Sequence, residues 1–179
     1  MSRVLTGSYI LIAAGLTLGL AGCGSRARQT ESTYRMGERM RVGNLIFTVL
    51  ESQWRTSLGE MFSQRLPQQR FLLLRLTITN SGGQEISVPL LNLVDSRGNE
   101  FPELQNGEGV NGWLGLFRTI APAQTADGWI LFDVNPNSYS LRVTDASSPE
   151  NEQSLLISIP LNLDSMGDAG SAILPAPQP

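Results

Sequence analysis

Arg70–Gly82 reads RFLLLRLTITNSG, and its alternation decides the fold class. Leu72, Leu74, Leu76 and Ile78 share one face of an extended chain, while Arg75, Thr77 and Thr79 share the other. Successive side chains of a strand point to opposite sides, so a period of two describes a strand with one face toward a core. A helix would place its apolar residues three and four apart. The run ends at Asn80–Gly83 (NSGG), residues that tolerate positive φ, and a hairpin turn is expected there.

The same period recurs on either side of this run. Leu45, Phe47 and Val49 alternate with Ile46, Thr48 and Leu50 in NLIFTVLE. WILFDV aligns Ile130, Phe132 and Val134, with Trp129 on the opposite face. YSLRVT aligns Tyr139, Leu141 and Val143, and SLLISIPL aligns Leu155, Ile157, Ile159 and Leu161. SRGN (Ser96–Asn99) and NPNS (Asn135–Ser138) supply further turns. Pro89 falls in ISVPLLNLV where the alternation slips, which marks an edge strand or a bulge where the chain changes sheet. About seven to nine short strands without a long helical pattern predict an all-β fold, an antiparallel immunoglobulin-like β-sandwich over residues 34–163.

Two connections are longer than turns. Ser52–Gln69 has no strand alternation, and Ser57 and Glu60 have capping-box spacing ahead of Met61 and Phe62, which predicts a short helix that Gly59 weakens. Glu103–Gly112 is rich in glycine and asparagine and runs into WLGLF, Trp113–Phe117. Long loops are where function or disorder concentrates.

The N-terminus reads as a processing segment. Arg3 precedes an apolar run of 13 residues, Tyr9–Ala21. As a helix it spans about 20 Å, short of a hydrocarbon core of about 30 Å, so residues 1–22 fit a signal peptide better than a membrane span. Leu20-Ala21-Gly22-Cys23 matches a bacterial lipobox, with cleavage between Gly22 and Cys23. The thiol of Cys23 would accept a diacylglyceryl group and the new N-terminus an acyl chain, giving a multi-chain membrane anchor. Residues 23–33 then form a polar tether, and residues 164–179, ending in LPAPQP, a disordered tail. The expected location is the extracytoplasmic face of the cell membrane or outer membrane.

Four segments together resemble a known family: YRMGERMRVGNLIFTV (34–49), RFLLLRLTITNSG (70–82), LVDSRGNEF (93–101) and IAPAQTADGWILFDV (120–134). They are similar to bacterial envelope lipoproteins and secreted proteins with a single immunoglobulin-like domain of unknown function, akin to the mycobacterial immunoprotective secreted antigen. The resemblance implies the sandwich fold and brings no catalytic residues. It departs at the proline turn, where the family usually has Pro-Gly-Glu and this chain has Pro122, Ala123 and Gln124. Alanine disfavours positive φ, so a type I turn is expected in place of type II.

The residue inventory narrows the chemistry. All 13 basic residues are arginine, there is no histidine, and the formal charge is −3. With Cys23 acylated, neither a serine–histidine nor a cysteine–histidine nucleophile can be assembled, and no cofactor or metal site is expected. Asp95, Asn99 and Glu100 lie around a hairpin without EF-hand spacing, which reads as turn chemistry. No broad basic face suggests nucleic acid. The preferred reading is a non-catalytic binding or accessory module held to the membrane, with an envelope protein or glycan as partner. Trp54, Trp113 and Phe117 in the long loops are the candidate contact residues, since aromatics are enriched at binding hot spots. The alternatives are a glycan-acting enzyme using two of Glu100, Glu103 and Glu108, and a passive structural lipoprotein.

Overall fold

The computed structural model describes residues 32–60, 62–144 and 154–162. The expected leader, the Gly22–Cys23 junction, most of the tether and the tail lie outside the described residues. Eleven strands form: β1 (Thr33–Arg35), β2 (Met40–Val42), β3 (Leu45–Arg55), β4 (Phe71–Asn80), β5 (Ile86–Val88), β6 (Asn92–Val94), β7 (Glu100–Pro102), β8 (Arg118–Ile120), β9 (Thr125–Asp133), β10 (Tyr139–Thr144) and β11 (Ser154–Ile159). One sheet has the order β2-β3-β4-β9, the other β1-β11-β10-β6-β7, and β5-β8 is a separate ribbon. Every pairing is antiparallel except β1 with β11.

A single core joins the two sheets. Phe47, Leu72, Leu74, Leu76, Ile130 and Phe132 from the first meet Leu93, Leu141, Val143, Ile157 and Ile159 from the second. This is the expected β-sandwich. At the sheet-to-sheet corner, Tyr139 opens β10 and donates its hydroxyl to the Asn135 carbonyl at 2.7 Å, the arrangement of an immunoglobulin tyrosine corner.

The outer face of the first sheet is divided. Phe71, Leu73, Trp129 and Leu131 point outward at one end, and Arg75, Thr77, Thr79 and Asp127 at the other. The apolar end is covered. Leu58, Phe71, Leu73 and Leu131 form a second buried cluster with Leu104, Val110 and Trp129 packed on it. Both long connections are thus folded onto the sheet. Arg65 ties them together, stacking 5.2 Å over Phe71 while donating to the Asn106 carbonyl at 2.6 Å. At the uncovered end Arg75 pairs instead with Asp127 at 3.1 Å, in the solvent.

Several local expectations are corrected. β3 continues through Ser52 to Arg55, because a bulge at Leu50 shifts the register and turns Ser52 and Trp54 inward. Among the described residues of the expected Ser57–Phe62 helix, none is helical. Leu58 and Arg65 pair as an antiparallel bridge instead, and the Ser63 amide closes a turn onto the Glu60 carbonyl at 2.9 Å. NSGG does not make a hairpin, since β4 pairs with β9 and β5 with β8. The reason is Asn80, fully buried, whose amide donates to the carbonyls of Gln84 and Ile120 and accepts from Gly82 N–H, drawing the chain across to β8. Ala123 takes φ +59°. The Gln124 N–H closes a turn onto Ala121, while Asn80 bonds both Ala123 and Gln124. The turn is therefore of the type II kind despite its alanine, held by the Asn80 backbone.

Candidate functional site

The site is built from two short segments. In the β5-β8 ribbon, Ser87 faces Thr119 and Val88 faces Arg118. Pro89 follows β5, where it has no N–H to extend the pairing. Gly115, Leu116 and Phe117 lead into β8. Between them lies a groove of about 310 Å³ lined by Ser87, Val88, Pro89, Leu116, Phe117, Arg118 and Thr119. Phe117 is 95% exposed, which leaves a whole phenyl ring in water at the groove's rim. Among the three aromatic candidates it is the most exposed.

Trp54 is corrected to a core residue. It is 4% exposed on the inner face of β3 and opposite Leu72. Trp113 is half-buried and bridges Trp129, while the next residue, Leu114, donates to the Trp129 carbonyl at 2.9 Å. Gly107 lies so close that an added Cβ would come within 2.0 Å of the Trp113 ring.

The three candidate carboxylates end in three different settings. Glu108 is exposed in the second long loop. Glu100 bonds Arg142 and Asn92 beside the β6-β7 pair. Glu103 is 2% exposed and accepts from Arg118 Nη2 through both oxygens at 2.5 Å, with a further bond from the Leu91 N–H at 3.2 Å. Burial pushes its carboxyl above the ordinary glutamate range, and Arg118 opposes that shift. Asp95 is engaged in its turn, accepting from the Arg97 and Asn99 amides and the Asn99 side chain, which lower its pKa.

Arg118 is the residue that the sequence reading misses. It is 5% exposed, its Nε donates to the Gly115 carbonyl at 2.8 Å, and its Nη2 holds Glu103. Its Nη1 is buried without a hydrogen-bond partner among the described residues. The available signal is parity: Arg118 and Ile120 share one face of a three-residue strand, so a charge in phase with a buried isoleucine implies a buried counter-charge.

With this geometry established, comparison with known proteins places the fold. The model of a family described as a domain of unknown function, DUF4352, matches residues 34–152. No curated protein matches the sequence. Among solved structures, the yjhA protein of Bacillus subtilis is similar at 16% identity and a TM-score of 0.52, over 70% of this chain and 98% of its own. The candidate lipoprotein ycdA of Bacillus subtilis is similar at 14% identity and a TM-score of 0.52; the match covers 69% of this chain and 38% of that one. The secreted protein MPT63 of Mycobacterium tuberculosis is similar at 16% identity and a TM-score of 0.49, over 74% of this chain and 98% of its own.

Proposed function

Since the chain belongs to the DUF4352 family of domains of unknown function, we propose that it is a lipid-anchored binding module of the bacterial envelope, non-catalytic and facing the extracytoplasmic side. The lipobox Leu20–Cys23 supports the anchor. The observation that carries the binding role is Phe117, 95% exposed at the rim of a groove whose walls are Val88, Pro89 and Leu116. A ring left in water gains about 2 kcal/mol or more when a partner covers it, and it costs little entropy to hold. The partner is an envelope protein. Non-catalysis is supported by the chemistry: no histidine is present, and Glu103 is neutralised by Arg118.

Two experiments test the reading. Cys23→Ser should move the protein from the membrane fraction to the soluble or secreted fraction and abolish acyl labelling; a membrane-bound, labelled variant refutes the anchor. Crosslinking in intact cells should recover a reproducible protein partner that Phe117→Ala loses without a change in Tm. An undiminished crosslink in that variant refutes the groove assignment.

A further inference from the structure

Where the two long connections fold onto the outer face of the first sheet, they enclose a second concavity that shares no lining residue with the Phe117 groove. Gly109 abuts the first connection: a Cβ there would come within 2.7 Å of Gly59 N and 3.0 Å of Leu58 Cβ. Two hollows of about 430 and 310 Å³ open beside this contact, and Arg55, Leu58, Gly109, Val110 and Asn111 line both. Sharing those residues, they form one cleft, of the size at which small-ligand sites begin. Leu73 lies at its base, and Trp129, half-buried, lies at its side.

The polar side chains of the cleft are accessible, and those on β3 are held in order. Glu51, Gln53 and Arg55 alternate onto the outer face of the strand. Gln53 Nε2 donates to Glu51, while Gln53 Oε1 accepts from Arg55 Nε at 3.2 Å and from Nη2 at 2.7 Å. This row fixes the orientation of the Gln53 amide and leaves Arg55 Nη1 and one Gln53 N–H to donate. On the other side, the exposed Asn111 amide donates and accepts, the Ser57 hydroxyl does both, and Glu60 accepts.

That mixture selects a ligand. An anion would gain Arg55 but meet Glu60, with Glu51 at the far end of the row. A wholly apolar ligand would leave the guanidinium and the amides without acceptors as it displaced their water. A polypeptide adds to a free strand edge, and β4, which carries Leu73, has both edges paired. A sugar ring carries hydroxyls that donate and accept around its rim, and C–H groups on its faces that pack on an aromatic or aliphatic surface. We propose that the cleft binds a neutral oligosaccharide, with ring hydroxyls on Arg55, Gln53 and Asn111 and a C–H face against Trp129 and Val110. This site is independent of the protein-binding groove at Phe117.

The test uses the full-length chain, nitrogen-labelled, titrated separately with cellotriose, maltotriose and tri-N-acetylchitotriose, with inorganic phosphate, and with the capped peptide N-acetyl-Ala-Leu-Thr-Leu-amide. At least one sugar should shift the side-chain amides of Gln53 and Asn111 and the indole N–H of Trp129 saturably, leaving the backbone amides of Phe117 and Thr119 in place. Asn111→Ala and Arg55→Ala, both at exposed positions, should each lower that affinity about three- to tenfold, the worth of one hydrogen bond. Phe117→Ala should bind the sugar as the wild type does. Absence of a saturable shift with all of these sugars overturns the proposal, as does sugar affinity that both cleft variants retain in full. Phosphate or peptide moving the cleft resonances where the sugars do not overturns the oligosaccharide as occupant. Failure of the Phe117 reading shows separately, in the crosslinking experiment.

Discussion

The Glu103–Arg118 pair gives the sharpest stability prediction. In Glu103→Leu, Arg118 stays buried and, among the described residues, keeps only its bond to the Gly115 carbonyl. In Arg118→Met, Glu103 keeps only the Leu91 N–H. Breaking a buried pair from one side leaves an uncompensated charge and costs about 3–5 kcal/mol. For a domain of this size that lowers Tm by about 10–20 °C. Replacing both members by apolar side chains removes the attraction and both desolvation costs together, so the double variant should lie within about 1–2 kcal/mol of wild type. The pH dependence adds an independent check. Burial already raises the Glu103 pKa, and losing Arg118 raises it further. A carboxyl with a raised folded-state pKa makes the folded protein hold its proton above the ordinary glutamate range. Stability then falls as pH rises from that range through the folded pKa, and is regained on acidification. Arg118→Met should therefore be most destabilised at neutral pH and recover toward pH 5, measured by urea denaturation at several pH values. Additive single and double variants, or an Arg118→Met deficit that ignores pH, would refute the reasoning.

Three further outcomes follow from local geometry. Ala123→Gly should stabilise the protein by about 0.5–1 kcal/mol, because alanine at φ +59° carries the left-handed penalty that glycine avoids; a drop in Tm would show that the turn does not hold that conformation. Gly107→Ala should displace the Trp113 ring, red-shift tryptophan emission and cost about 1–3 kcal/mol, and an unchanged spectrum would deny the close approach. Asn99→Ala should return the Asp95 pKa toward its ordinary value. The contribution of Asp95 to stability, present above the ordinary aspartate range and lost as pH falls through the lowered pKa, should shrink in that variant, as carbon-detected NMR titration and acid denaturation would show.

The long strands are legible because one rule governs them. β4, β9, β10 and β11 each present alternate residues to one core, and that alternation is written directly in the chain. What departs from the alternation is where the reading fails. The bulge at Leu50 inserts one residue, and from there the inward positions change from odd to even. Trp54, which strict alternation from Phe47 would place outside, is therefore in the core. Turn residues mislead in a similar way. NSGG has hairpin composition, yet Asn80 spends its side-chain bonds on Gln84, Gly82 and Ile120, a partner 40 positions away that no local pattern announces.

The covered end of the first sheet was within reach of the same rule. Phe71 and Leu73 precede Arg75 and Thr77 on the outward face of β4, and Leu131 and Trp129 match them across β9. A strand that is apolar on both faces at one end and on one face at the other must be covered twice at the first end. The chain holds two connections long enough to do so, and both are found there. The groove is harder to foresee because its parts are short. A three-residue strand such as Arg-Thr-Ile gives a parity but no period, and the parity only says that Arg118 is buried. Finding Glu103 as its partner requires knowing that the residue after β7 and the start of β8 converge, a tertiary fact. Phe117 is legible as a loop aromatic, but its exposure is set by Arg118. By folding back to Gly115 and reaching inward to Glu103, the arginine takes the buried position beside it, and the phenyl ring is left outside. The alternation that buries Arg118 beside Glu103 thus also turns its neighbour Phe117 to the solvent.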